Sequence, residues 1–192
     1  VLQLVADGLV ANDPDPIVKA LQKARATQGA IDGLRSNLLG GREISRISPL
    51  YWNSRPRLER LMATADPIDN AMRNIRVLAR RSLTLVRDDE ILDPRLVAQV
   101  ERLSKAVEVL EDMILAEPGE QPDQAEAARV LRSVAKELKP AIVENAGLSS
   151  TVVFAQIRSL VVDLLQVAGM KRISSIATLP PTVPHPAYEP DH

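Results

Sequence analysis

Along almost the whole chain, apolar side chains recur at intervals of three and four residues. That spacing lines one face of an α-helix. Ile17, Leu21, Ala24, Ile31, Leu34 and Leu38 form one such stripe. Leu96, Val100, Leu103, Val107, Leu110 and Ile114 form another, close to a heptad seam. Strand signals are almost absent: no run of β-branched residues alternates with polar ones between turn residues. A chain whose periodicity is helical must bury its stripes helix against helix. The expectation is an all-α fold, an antiparallel helical bundle of about six or seven helices, several of them long. The chain has 192 residues, 45 % of them hydrophobic, which is enough for one substantial core. Aromatic residues are few (Tyr51, Trp52, Phe154 and Tyr188), so the core is aliphatic and suited to close helix packing.

Breaker and capping residues divide the stripes. Asp13-Pro14 and Asp93-Pro94 each read as an N-cap followed by proline in the first helical turn. The stripe from Ile17 continues through Ile44 and Ile47 to Ser48-Pro49, predicting one long helix with a bend or break near Gly40-Gly41. Pro49 and Pro56 frame a connector in which Trp52 reads as an anchor plugging a bundle end. A helix starts at Arg57, and Asp66-Pro67 inside it is either a fresh N-cap or a kink. The stripe Ile68, Met72, Ile75, Leu78, Ala79, Ser82, Leu85, Val86 stops at Asp88-Asp89-Glu90, which reads as a solvated turn. The heptad-like helix ends before Pro118-Gly119, and another spans Asp123 to Leu138, its end bent by Pro140. Gly147 marks a stop, Ser149 or Ser150 caps the last helix, and Gly169 terminates it. Residues 1–172 are thus expected to form the bundle. Residues 173–192, with Pro180, Pro181, Pro184, Pro186 and Pro190, are expected to be an extended tail containing one PxxP pattern.

The same sequence excludes much chemistry. Without cysteine there is no disulfide, thiolate metal site or thiol nucleophile. With 24 Lys and Arg against 25 Asp and Glu, the chain lacks the basic excess of a nucleic-acid binder. Both histidines, His185 and His192, sit in the Pro-rich tail without a carboxylate spaced to orient them. Neither GxGxxG nor GxxxxGK[ST] occurs, and no Glu-x-x-His motif could build a di-metal bundle site. No enzyme activity, cofactor or metal is therefore expected. The most distinctive feature is the segment from Arg55 to Arg87, in which eight arginines face only Glu59, Asp66 and Asp69. Arg73, Arg76 and Arg80 share one helix face, with Arg81 beside it. Two readings stand: a solvated face paired with acids of neighbouring helices, or a stripe facing an anionic ligand or anionic lipid headgroups. Asn70 and Asn74, four apart, either bridge helices or stay exposed.

No stretch reaches the roughly 18 uncharged apolar residues of a spanning helix. Thr151 to Gly169 comes nearest but carries Gln156, Arg158 and Asp163, which marks a core helix. The start, Val-Leu-Gln-Leu-Val, is already helical in pattern and lacks signal-peptide order, so the chain reads as a piece of a longer one.

Two segments carry a resemblance. Ala65 to Arg81 (ADPIDNAMRNIRVLARR) and Phe154 to Leu165 (FAQIRSLVVDLL) are similar to two helices of the FUSC family. These are the bacterial fusaric-acid-resistance-like proteins or aromatic acid exporters. Glu43 to Pro49 (EISRISP) resembles that family less specifically, and Pro67 departs from its pattern. The resemblance implies the helical region that follows the membrane helices, on the cytoplasmic face of the bacterial inner membrane. It implies a non-enzymatic part in assembly or gating of efflux of aromatic carboxylic acids or related toxic compounds. The implied partners are the protein's own membrane domain and further copies of itself. No transport or catalytic residue carries over, because the translocation path would lie outside this chain. The alternatives are a freestanding helical adaptor or an amphipathic lipid-binding bundle, acting through helix grooves and the basic face.

Overall fold

In the computed structural model, residues 1–47, 55–115 and 124–183 are described, apart from the side chains of residues 44–47, 55–57, 60 and 124. Every regular element among them is helical. The order is α1 (Leu2–Ala11), α2 (Pro14–Ala26), α3 (Gln28–Ile47), α4 (Arg55–Arg87), α5 (Pro94–Leu115), α6 (Gln124–Glu137), a 3-10 turn (Pro140–Val143), α7 (Leu148–Val167) and α8 (Arg172–Ala177). Seven of these α-helices have ten residues or more, and α8 has six. The Tyr51-Trp52 connector, the Pro118-Gly119 turn, Pro184 of the PxxP pattern and both histidines lie outside the described residues.

The helix ends follow from side chains that satisfy backbone groups. Asp13 Oδ1 accepts from the Asp15 N–H at 2.9 Å, and Asp93 Oδ1 accepts from the Arg95 N–H at 2.8 Å, as both Asp-Pro pairs predict. α7 closes on Gly169, whose φ of +90° costs a residue without Cβ little. There the Met170 N–H reaches the Leu165 carbonyl and the Gly169 N–H the Gln166 carbonyl. α4 ends in the same way on Asp89, at φ 53°.

Four boundaries differ from the sequence-based expectation. The break after α2 falls at Thr27, whose hydroxyl donates to the Ala24 carbonyl, and not near Gly40. α3 runs unbroken through Gly40-Gly41. A Cβ at Gly29, Gly33 or Gly40 would meet nothing within 4 Å, so these glycines cost only propensity, while buried Ile31 and Leu38 hold the helix down. Asp66-Pro67 starts no new helix, because α4 is continuous over 33 residues, about 50 Å. Proline leaves the Ala63 carbonyl without its helical donor, and Ala63 is exposed to water that can serve instead. Neither Ser149 nor Ser150 caps α7. Its N-cap position is Gly147, and the capping acceptor is Glu90 Oε1, which takes the Ser150 N–H at 3.0 Å from the α4–α5 turn. Finally, α8 is helical where an extended tail was expected from residue 173. No proline lies between residue 173 and Pro180, and Ser175 and Ala177 are buried.

The core forms around α7. It lies along α4 and also packs on α5, α6, α8 and the 3-10 turn. α4 in turn carries α1, α2 and α3, while α1 also meets α5. Ile17, Leu78, Leu96, Leu103, Leu131, Leu138, Ile157, Leu160 and Leu165 are fully buried, each contributing about 1.5–3 kcal/mol of burial. Among the described residues, α7 is the one helix long and apolar enough to cross a bilayer, yet most of it is buried among the other helices.

The turn after α4 therefore does more than a solvated loop. Asn12 Nδ2, at the end of α1, donates to Asp89 Oδ1 at 3.0 Å, and Glu90 reaches α7. Burial raises the Glu90 pKa, but hydrogen bonds from Ser150 and Ser149 more than offset this and hold it below its ordinary value. A carboxyl lowered in the fold stabilises at neutral pH, and that contribution is lost as pH falls through the carboxylate range. Glu90→Ala is expected to lower stability at pH 7 by about 1 kcal/mol, roughly 2–4 °C in Tm. Thermal unfolding at pH 7 and pH 3.5 checks this: the gap between variant and wild type should shrink at the lower pH.

Candidate functional site

α4 and α7 are joined by a polar bond through an otherwise apolar seam. Asn74 Nδ2 donates to Asp163 Oδ2 at 2.6 Å. Asp163 is only 4 % exposed. Burial pushes its carboxyl up from the ordinary value, while the Asn74 hydrogen bond and the charge of Arg172 pull it back. Asn74 thus bridges helices, and Asn70 is exposed.

Beside this pair opens a cleft of about 750 Å³ between α4, α7, the 3-10 turn and the α8 segment. Val143, Phe154, Val162, Ile176 and Leu179 supply its apolar walls, and Arg73, Arg158 and Arg172 its cations, with Asp163 the carboxylate among its lining residues. Phe154, Arg158 and Val162 follow one another at i, i+4 and i+8, which places all three on one face of α7. Arg158 is half-buried and stacks with its guanidinium 5.5 Å from the Phe154 ring centroid. Its Nη1 donates to the Leu138 carbonyl and its Nη2 to the Pro180 carbonyl, both at 2.7 Å. Burial lowers its pKa from the ordinary value. No carboxylate of a described residue forms an ion pair with it.

The arginines singled out from sequence do not converge. Arg73 lines the cleft, 65 % exposed, and its Nη2 lies 2.6 Å from Asp69 Oδ2. Arg76 is half-buried and donates to the Met72 carbonyl at 3.2 Å and to Gln28 Oε1 at 2.7 Å, tying α4 to the start of α3. Arg80 and Arg81 are exposed; the Arg80 carbonyl accepts from the Thr84 hydroxyl at 3.2 Å, while neither guanidinium bonds or pairs with a described residue. Asp69, 1 % exposed, also pairs with Arg35 at 3.2 Å, and Arg35 reaches Asp66 at 2.6 Å. Of the basic segment, Arg73 is thus paired by an acid of its own helix, and Asp66 and Asp69 of α4 also pair with Arg35 of α3.

Arg158 and Asp163 entered the sequence reading as interruptions of an apolar helix and as members of the Phe154 to Leu165 segment, and Arg172 only as a residue at the end of the expected bundle. The pattern that points to the cleft is Phe154-x-x-x-Arg158-x-x-x-Val162, a cation between two apolar residues on one face. Chemically the cleft offers arginine forks, amides and apolar walls, which suit binding of an anion. Among the described residues, no three of His, Asp and Glu gather where they could hold a metal ion.

No protein-family model matches the chain, and no solved structure matches it. An uncharacterized protein of Corynebacterium glutamicum is 35 % identical over 193 residues, covering all of this chain. The chain spans about half of that relative's length, 50 %.

The Asn74–Asp163 bond generates a prediction. A carboxyl whose pKa is raised in the fold loses its contribution to stability as pH rises from the ordinary carboxylate range through the folded value. Asn74→Ala removes a donor to the charged form and raises Asp163 further. It is expected to cost about 1.5–3 kcal/mol at pH 7 and distinctly less near pH 4. Urea unfolding of wild type and variant at both pH values measures it, and an equal loss at both would disprove the charge-based account.

Proposed function

We propose that this chain is the cytoplasmic helical domain of a FUSC-type protein of the bacterial inner membrane. In this reading it takes a non-enzymatic part in assembly or gating of efflux of aromatic carboxylic acids or related toxic compounds. The observation that carries the reading is the Asn74–Asp163 bond. The two segments that resemble the family, Ala65 to Arg81 and Phe154 to Leu165, lie on α4 and α7, and these helices pack along one another. A resemblance in two distant segments is then a resemblance in one structural unit. A relative twice this chain's length leaves room for the membrane-spanning part that the reading requires.

The bundle's role follows from its shape. A long helix pair with a cationic cleft beside it is a rigid body that transmits a change at the cleft along α4. The chain's partners in this reading are the protein's own membrane domain and further copies of itself.

The test is export by the whole protein. In a bacterial host lacking its own exporters, the complete coding sequence containing this chain is expected to lower intracellular accumulation of a labelled aromatic carboxylic acid. The isolated residues 1–192 are expected to leave accumulation unchanged, and deleting them from the whole protein to abolish the effect. Unchanged accumulation with the complete protein, or a flanking sequence without apolar segments of about 20 residues, would overturn the reading.

A further inference from the structure

Arg158 sets a physical problem that the fold alone does not solve. A half-buried guanidinium is ordinarily compensated by a carboxylate, because desolvating a cation is costly. Here its described partners are two neutral carbonyls, of Leu138 and Pro180. Both bonds are charge-assisted on the donor side, but neither carbonyl brings the countercharge that an anion would supply. Arg158 also lines the cleft, together with Arg73, which is paired with Asp69, and Arg172, whose charge acts on Asp163; of the three, Arg158 is the half-buried cation that no described carboxylate balances. Next to these cations lie the apolar Val143, Phe154, Val162 and Ile176, none of them in the segment after α8. A free inorganic ion would leave that apolar surface uncovered, and an uncharged apolar molecule would leave the guanidinium uncompensated.

We propose that this cleft binds an amphiphilic oxyanion whose head takes Arg158 from the Pro180 carbonyl, so that binding releases the segment after α8. The head is a carboxylate, sulfonate or phosphate ester, matched to the guanidinium fork. The body is aliphatic in character and covers the walls. Of the two carbonyl contacts, Pro180 is the one that yields. Leu138 is fully buried at the end of α6, packed in the core. Pro180 follows a six-residue helix and precedes Pro181, Thr182 and Val183, all exposed. Release of this segment opens the rim of the cleft and frees Thr178, Leu179 and Pro180, which are half-buried here. The device needs no membrane and stands apart from the export reading.

The test uses the 192-residue chain and two probes, octanoate and inorganic phosphate. In an NMR titration, octanoate is expected to shift the Arg158 side-chain Nε–H signal saturably. It is expected to bind at least about tenfold tighter than phosphate, because its body is covered. The Leu179 N–H, bonded to the Ile176 carbonyl at 3.1 Å, should exchange with solvent faster by about threefold or more when octanoate is bound. Arg158→Gln should weaken octanoate binding by about tenfold. Arg73→Gln, at an exposed position where Arg35 still pairs with Asp69, should weaken it by a smaller factor. Absence of saturable binding overturns the site, equal affinity for the two probes overturns the apolar body, and unchanged or slower exchange at Leu179 overturns the release. The titration and exchange arms use the wild-type chain, so the proposal remains testable if Arg158→Gln fails to fold. Transport plays no part in these readouts, so their failure and that of the export reading are separate results.

Discussion

Helix α7 is apolar around most of its circumference, and hiding that surface dictates where the other helices go. One neighbour could cover a stripe; α7 needs α4, α5, α6, α8 and the 3-10 turn around it. The same constraint makes its few polar side chains consequential. Asp163 and Arg158 are desolvated along with the helix, so each must find partners in whatever lies opposite. Asp163 finds an amide on α4, and Arg158 finds carbonyls from two other parts of the chain. The cleft lies beside these bonds, lined by α4, α7, the 3-10 turn and the α8 segment.

What the sequence revealed depended on the reach of each interaction. Asp13 and Asp93 cap within two residues of themselves, and Gly169 terminates α7 through bonds spanning five or fewer, so local chemistry was enough to read them. The apolar stripes of α2, α5 and α6 likewise became core, since periodicity is a property of one segment. Glu90 capping α7 joins residues sixty positions apart and has no local signature. The expected break at Gly40 failed for another reason. Propensity is a weak term, and an exposed glycine in a helix held by Ile31 and Leu38 does not outweigh their burial. The break fell instead at Thr27, where a hydroxyl competes for a helical carbonyl.

The site was less legible than the fold. Spacing placed Arg73, Arg76 and Arg80 on one face, and a helix 33 residues long presents different neighbours along that face. Arg76 meets Gln28 of α3, Arg73 borders the cleft, and Arg80 stands in solvent. Charge density along a sequence identifies a segment without identifying its counterpart in space. Conversely, Arg158 was hidden by its setting, one cation in an apolar run. Its meaning depends on the absence of a facing carboxylate among the described residues, which only a tertiary arrangement discloses.

The contact between Glu90 and α7 leaves a mark on what this chain can become over generations. A Cβ placed on Gly147 would fall on the Glu90 carboxylate, so the smallest side chain there displaces the cap it sits beside. With glutamate at 90, a side chain at 147 must push that carboxylate aside, and the start of α7 then needs another acceptor. Two sites far apart in the chain, one in an exposed turn, are tied together by the space one carboxylate occupies.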